Sequence, residues 1–136
     1  MYRLSMNYDP LIKTCTDETM KGFLGIMRII SELEPVNAKA KQLPIQTIQC
    51  LFYIASHDGC HKQALEEDLK MDKASGSRNT DWLSAAHRLR GRSGLGLIVK
   101  MEDPANRRRT RLFLTRRGKQ LVKKLKTSIN ELLPEV

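Results

Sequence analysis

The stretch that decides the fold runs from Leu97 to Gly118, LIVKMEDPANRRRTRLFLTRRG. Two runs rich in β-branched and apolar residues, Leu97–Met101 and Thr110–Leu114, flank a polar tip that holds Pro104 and Asn106. Proline fixes φ and asparagine tolerates the left-handed region, so the spacing predicts a β-hairpin with a loop longer than two residues. Arg107, Arg108, Arg109 and Arg111 crowd the tip and the returning strand. Like charges at that density repel one another unless a polyanion compensates them. Thr115 then opens a helix, with Gly118 in its first turn.

A hairpin with an arginine-loaded tip that leads straight into a helix reads as the wing of a winged-helix DNA-binding domain. The segment DPANRRRTRLFLTRRG, Asp103–Gly118, resembles the wing signature of MarR-like regulators, an Asp-Pro-x-Asp-Arg-Arg tip followed at fixed spacing by Leu-Thr-x-x-Gly. Asn106 stands where the family has Asp. The resemblance extends from about Leu43 to Leu133. It implies a mainly α fold, a winged helix-turn-helix with one β-hairpin wing whose terminal helices form a dimer interface. Residues 1–42 are then an N-terminal helix and connector, 43–115 the helix-turn-helix plus wing, and 116–136 the C-terminal helix of one domain.

Composition agrees with a small helical protein. The chain has 136 residues, enough for one core but not two. Aromatic residues are scarce at 5%, which argues against a β-sandwich. No apolar run reaches the ~18 residues a membrane span needs. The leader MYRLSMNYDP is neither a signal peptide nor a basic amphipathic presequence. Cys15, Cys50 and Cys60 form no disulfide framework and suit a reducing compartment, so a cytoplasmic protein is expected.

The net charge of +9 is unevenly spread. Residues 1–72 hold 8 Lys+Arg against 10 Asp+Glu, whereas residues 73–126 hold 16 against 3. Solubility alone favours interspersed signs, so this segregation points to a polyanion on one side.

Along the chain, Thr14 or Thr16 can cap a helix through about Leu33, with Phe23, Met27 and Ile30 on one stripe. A second helix begins near Pro44, repeats Ile45, Ile48, Leu51, Phe52 and Ala55, and stops at Asp58-Gly59. A shorter helix covers His61–Lys70, and Asp72 is a good N-cap for the next. KASGSRNTDWL, from Lys73, occupies the place of the recognition helix, and Ser75, Ser77 and Arg78 carry the family match. Gly76, Asn79 and Thr80 fall where the family has apolar residues facing the core. Trp82, Ala85, Ala86 and Leu89 offer a better apolar register, so one helix from about Lys73 to Leu89 is expected. Arg88–Gly96 reads as a flexible basic loop. Ser-Arg-Asn and the Gly-Leu-Gly-Leu before the wing look like the MarR-like proteins carried by bacteriophages. The last helix, Arg116–Leu133, has an apolar stripe of Leu121, Val122, Leu125, Ile129, Leu132 and Leu133.

Function follows from these placements as an expectation. The chain reads as a regulator that binds double-stranded DNA in a sequence-specific way, without enzymatic activity. Ser75, Ser77, Arg78 and Asn79 would enter the major groove, where Arg reads guanine and Asn reads adenine. Arg107 and Arg108 match the family's tip pair and suit the narrow minor groove of A·T tracts. Arg109 and Arg111 would reach phosphate, and the loop residues Arg88, Arg90 and Arg92 are further expected DNA-binding residues. Phe23, Met27, Ile30, Leu121, Leu125, Ile129 and Leu132 are the expected homodimer surface. A dimer would space two recognition helices about one DNA turn apart, roughly 34 Å, and prefer an inverted repeat.

No cofactor or metal is expected. His57, Cys60 and His61 are broken by the Asp58-Gly59 turn and lack a second ligand pair at zinc spacing. Cys15 is a weak candidate for a redox-sensing thiol, and a small-molecule effector is compatible with the resemblance without being specified. Two other readings keep the same residues: a sequence-indifferent packaging protein, and a protein-interaction module for an acidic partner.

Overall fold

Helix caps and close backbone approaches organise the chain, at Gly118 over Leu97 O and at Gly94 beside Ser84 O. The computed structural model describes residues 18–33, 43–85 and 94–130. Among them run α1 (Glu18–Ser31), α2 (Ile45–Ser56), β1 (Cys60–His61), α3 (Lys62–Asp68), α4 (Lys73–Leu83), β2 (Ile98–Asp103), β3 (Asn106–Leu114) and α5 (Arg116–Asn130). The sheet is antiparallel in the order β1-β3-β2. No described helix is long and apolar enough to cross a membrane.

Local chemistry sets the boundaries. Pro44 is the extended N-cap of α2 rather than a residue of its first turn. Gly59, at φ +87°, turns the chain after α2, and its N–H donates to Leu112 O at 2.8 Å. Asp58 Oδ1 accepts from the Leu114 N–H at 2.8 Å, so this turn lays β1 against β3. The two residues of β1 carry no strand signal of their own.

α3 ends in a reverse turn that aims α4. Met71 N donates to Glu66 O and Lys70 N to Glu67 O, the paired bonds of a Schellman motif. Lys70 occupies its left-handed position at φ +55°, where a side chain is strained. Lys70→Gly is therefore expected to raise stability by about 0.5–1 kcal/mol, read as a higher denaturation midpoint. Asp72 then caps α4, accepting from Ser75 N at 2.7 Å. That bond, reinforced by the nearby Arg78, holds the Asp72 carboxyl below the usual carboxylate range.

α4 departs from the expected register. It buries Gly76, Asn79, Thr80, Asp81 and Leu83 and leaves Trp82 half-buried, with Ala85 exposed beyond its end. Asn79 tolerates burial because its Oδ1 accepts from Thr47 Oγ1 at 2.8 Å and its Nδ2 reaches Gln46 Oε1 at 3.4 Å. Thr80 returns its hydroxyl to Gly76 O at 2.7 Å. Gly76 lets α4 approach α3, since a Cβ there would stand 2.1 Å from Glu66 Oε2. The helix stops at Leu83, not Leu89. Leu83 O accepts from Leu97 N at 2.8 Å, and Ser84 bridges to Ile98.

The core joins all layers: Leu51 and Ile54 of α2, Leu65, Leu83, Leu97, Ile98 and Leu112 are almost wholly buried. Each such side chain contributes on the order of 1.5–3 kcal/mol. α5 starts where Thr115 N donates to Leu97 O and Thr115 Oγ1 donates to Gly96 O. Gly118 permits the crossing, because a Cβ there would lie 2.1 Å from Leu97 O. α5 packs on α1, with Leu121 and Leu125 joining Ile26 and Ile30 in the core.

Candidate nucleic-acid interface

The wing is built differently from the expected long loop. The hairpin turns through Pro104 and Ala105 alone, with Asp103 opposite Asn106. One step further back Glu102 already faces Thr110. Three residues of β3, Arg107, Arg108 and Arg109, thus have no counterpart on β2 and form a bulge. A bulge twists the strand and re-aims its side chains. Asn106 Oδ1 accepts from the Arg108 N–H at 3.1 Å, which begins it.

Asp103 braces this tip from below. Its Oδ1 accepts from Ala105 N at 2.9 Å and its Oδ2 bonds His61 Nε2 at 2.6 Å. The His61 bond, then the Ala105 N–H, hold the Asp103 carboxyl below its ordinary range. A carboxyl shifted in that direction adds stability above its unfolded-chain value, lost only as pH falls through the folded value. Asp103 is thus a carboxylate throughout neutral pH.

Between the bulge and α4 lies a groove of about 550 Å³. α3 and β1 supply His61, Lys62, Gln63 and Glu66, α4 supplies Lys73 and Ser77, and the wing supplies Lys100, Arg108, Arg109 and Thr110. Two cations are compensated within the fold. Lys62 pairs with Glu66 at 2.5 Å, and Lys100 pairs with the buried Asp81, tying the wing to α4. Lys73, Arg107, Arg108 and Arg109 are exposed and have no acidic partner among the described residues. The first turns of α4 add N–H groups and a positive dipole end.

The site residues expected from sequence divide into groups. Ser75, Ser77 and Arg78 share the outer face of α4, where Arg78 donates to Ser75 Oγ at 3.1 Å. Asn79 does not join them: it faces the core, satisfied by Thr47 and Gln46, so it is unavailable for reading bases. Arg107, Arg108 and Arg109 meet at the bulge. Arg111 is turned away, its Nε donating to Gly59 O at 2.9 Å and its guanidinium over the Phe113 ring. Arg88, Arg90 and Arg92 lie outside the described residues. Sequence reading missed Lys73 and Lys100. Lys100 pairs across the strand with Leu112, and its role follows only once Asp81 of α4 lies beside it.

The expected dimer surface also divides. Ile30, Leu121 and Leu125 belong to the core of the single chain. Phe23, at 56% exposure, Met27, at 45%, and Ile129, at 40%, do face outward. Leu132 lies outside the described residues, as does Cys15. Burial pushes the Cys50 and Cys60 thiols up to about 11, so both are protonated at neutral pH and poor nucleophiles. His57 stacks on Tyr53, and among the described residues no group of three ligands could hold a metal.

Solved structures share this arrangement. The chain is similar to a MarR transcriptional regulator from Methanosarcina mazei Go1 over 85% of its length and 70% of that chain, with TM-score 0.58 and 23% identity. The fold is that of MarR regulators. MarR itself aligns over 83% of this chain and 77% of its own, with TM-score 0.54 and 24% identity. The transcriptional repressor CouR, bound to a 23-mer DNA duplex, aligns over 82% and 67%, with TM-score 0.55 and 18% identity. At the level of sequence, no protein-family profile and no curated protein matches. Within the MarR fold α3 and α4 are the helix-turn-helix, and β2 and β3 the wing.

Proposed function

We propose that this chain is a non-enzymatic transcriptional regulator of MarR type that binds double-stranded DNA as a homodimer. The observation that carries the reading is the groove, where uncompensated Arg108 and Arg109 of the wing stand across from Lys73 and Ser77 of α4. Ser75, Ser77 and Arg78 approach base edges in the major groove, with Arg78 suited to guanine N7 and O6. Arg107 and Arg108 project from the bulge to the adjacent minor groove, and Arg109 and Lys73 hold phosphate. The Asp81–Lys100 pair keeps the two reading elements in one register. Phe23, Met27 and Ile129, with their exposed neighbours Met20 and Leu24, supply the apolar face that a second copy covers.

Competition tests the reading. A duplex selected by the protein from a random pool, held at physiological salt, should resist displacement by scrambled duplex of equal length. Specific sites are typically ~10³-fold or more tighter than non-specific ones. Equal displacement by the scrambled duplex would assign the chain to sequence-indifferent binding instead.

A further inference from the structure

α5 carries a second cationic face that the groove does not use. Arg116, Arg117, Lys119, Lys123, Lys124 and Lys126 are all exposed on a helix that has no acidic residue. Lys119, Lys123 and Lys126 stand at i, i+4 and i+7, with steps of about 6 and 4.5 Å along one side. Together with Ala55, Leu114 and Val122 they line a cleft of about 290 Å³. Asp58 is the one acid of that lining, and its Oδ1 already accepts from Leu114 N. Lysines so placed repel one another and destabilise the helix that bears them. An extended polyanion removes that cost.

The cleft shares no residue with the groove. α5 packs on α1 and on β3, the groove being framed instead by α3, α4 and the wing tip. We propose that the Lys119, Lys123 and Lys126 face of α5 binds the backbone of a second duplex segment while the groove holds the first, so that the protein draws two stretches of DNA together. The proposal rests on the groove reading. Duplex DNA fits because it offers a charge about every 1.7 Å along its axis, with no sequence required. A duplex bound in the groove also keeps its own distant segments at high local concentration beside α5.

The test uses the full chain, a donor-labelled duplex carrying a selected site, and an acceptor-labelled scrambled duplex, with energy transfer as the readout. Wild type should bring the two together. The variant Lys119→Gln, Lys123→Gln, Lys126→Gln changes only exposed side chains and should keep its melting temperature. It should lose capture of the second duplex by about tenfold or more, yet bind the selected duplex alone within about twofold. Capture equal to wild type in this variant would overturn the proposal, and so would displacement of the second duplex by polyglutamate at lower charge concentration than by DNA. The latter result would assign the face to an acidic protein partner. Capture that survives in the lysine variant but fails in Arg108→Ala would mean that two grooves of a dimer hold the two duplexes. Loss of all duplex binding in the lysine variant, with Arg108→Ala unaffected, would overturn the groove reading as well.

Discussion

Raising salt from about 50 to 200 mM should weaken duplex binding by about 10³- to 10⁴-fold, with a slope of log K against log salt of roughly −5 to −7. The expectation comes from counting cations that are free to release counterions. Lys62 and Lys100 are already neutralised by Glu66 and Asp81, so they release little. Lys73, Arg107, Arg108 and Arg109 are not, which gives on the order of 6–8 phosphates for a dimer. Affinity measured by fluorescence anisotropy across that range reads the slope directly. A slope near zero would mean that the basic half of the chain does not meet phosphate. A steep slope with no sequence preference at any salt favours packaging over regulation.

The second large effect separates the core from the dimer face. Leu125 is 5% exposed and packs with Ile26 and Ile30, so Leu125→Asp should unfold the chain. Burying an unpaired carboxylate there and losing the leucine together exceed about 4 kcal/mol, a large share of a small domain's stability. Even Leu125→Ala should cost about 2–5 kcal/mol. Phe23→Asp with Met27→Asp, by contrast, alters side chains that the fold of the single chain leaves exposed. That variant should melt as a folded species and show a monomer mass by light scattering, where wild type at micromolar concentration shows a dimer. A wild-type monomer would remove the homodimer, and unfolding of the Phe23→Asp, Met27→Asp variant would place those residues in the core.

How much was legible in the sequence follows the physics of each element. The wing and the cap of α4 could be read because local chemistry decides them: β-branched runs, Pro104 and Asn106 at the tip, Asp72 before a helix. The bulge could not, since its three-residue shift depends on the Asn106 side chain and the Asp103–His61 brace across 42 residues of chain. The register of α4 was misread because apolar periodicity assumes an apolar core. Asn79 and Thr80 are instead buried as satisfied polar groups, and the partner of Asn79 is 32 residues away. Leu121 and Leu125 belong to a stripe that serves a core or a partner equally well by pattern alone. The close crossing of Gly118 over Leu97 O turns them inward. The candidate site was partly legible for the same reason. Arginine density at the wing announced it, whereas Lys100 and Asp81 became meaningful only once strand and helix were side by side.

The central claim is that α4 and the wing read DNA in different ways, and five variants on four duplexes test it most directly. Arg78→Ala, Arg107→Ala, Arg108→Ala, Arg117→Ala and Lys123→Ala are measured on a selected site and on its scrambled counterpart, each in A·T- and G·C-flanked form. Arg78→Ala should cost about 1–3 kcal/mol on the selected site and relax discrimination at one base-pair position per half-site. The two wing variants should lose more on A·T-flanked than on G·C-flanked duplex, because groove width is read there. Arg117→Ala and Lys123→Ala, on α5 behind the wing, should change single-duplex affinity little and nearly uniformly across sequences. Equal losses for all five on every duplex would contradict sequence reading and leave only a generic basic surface.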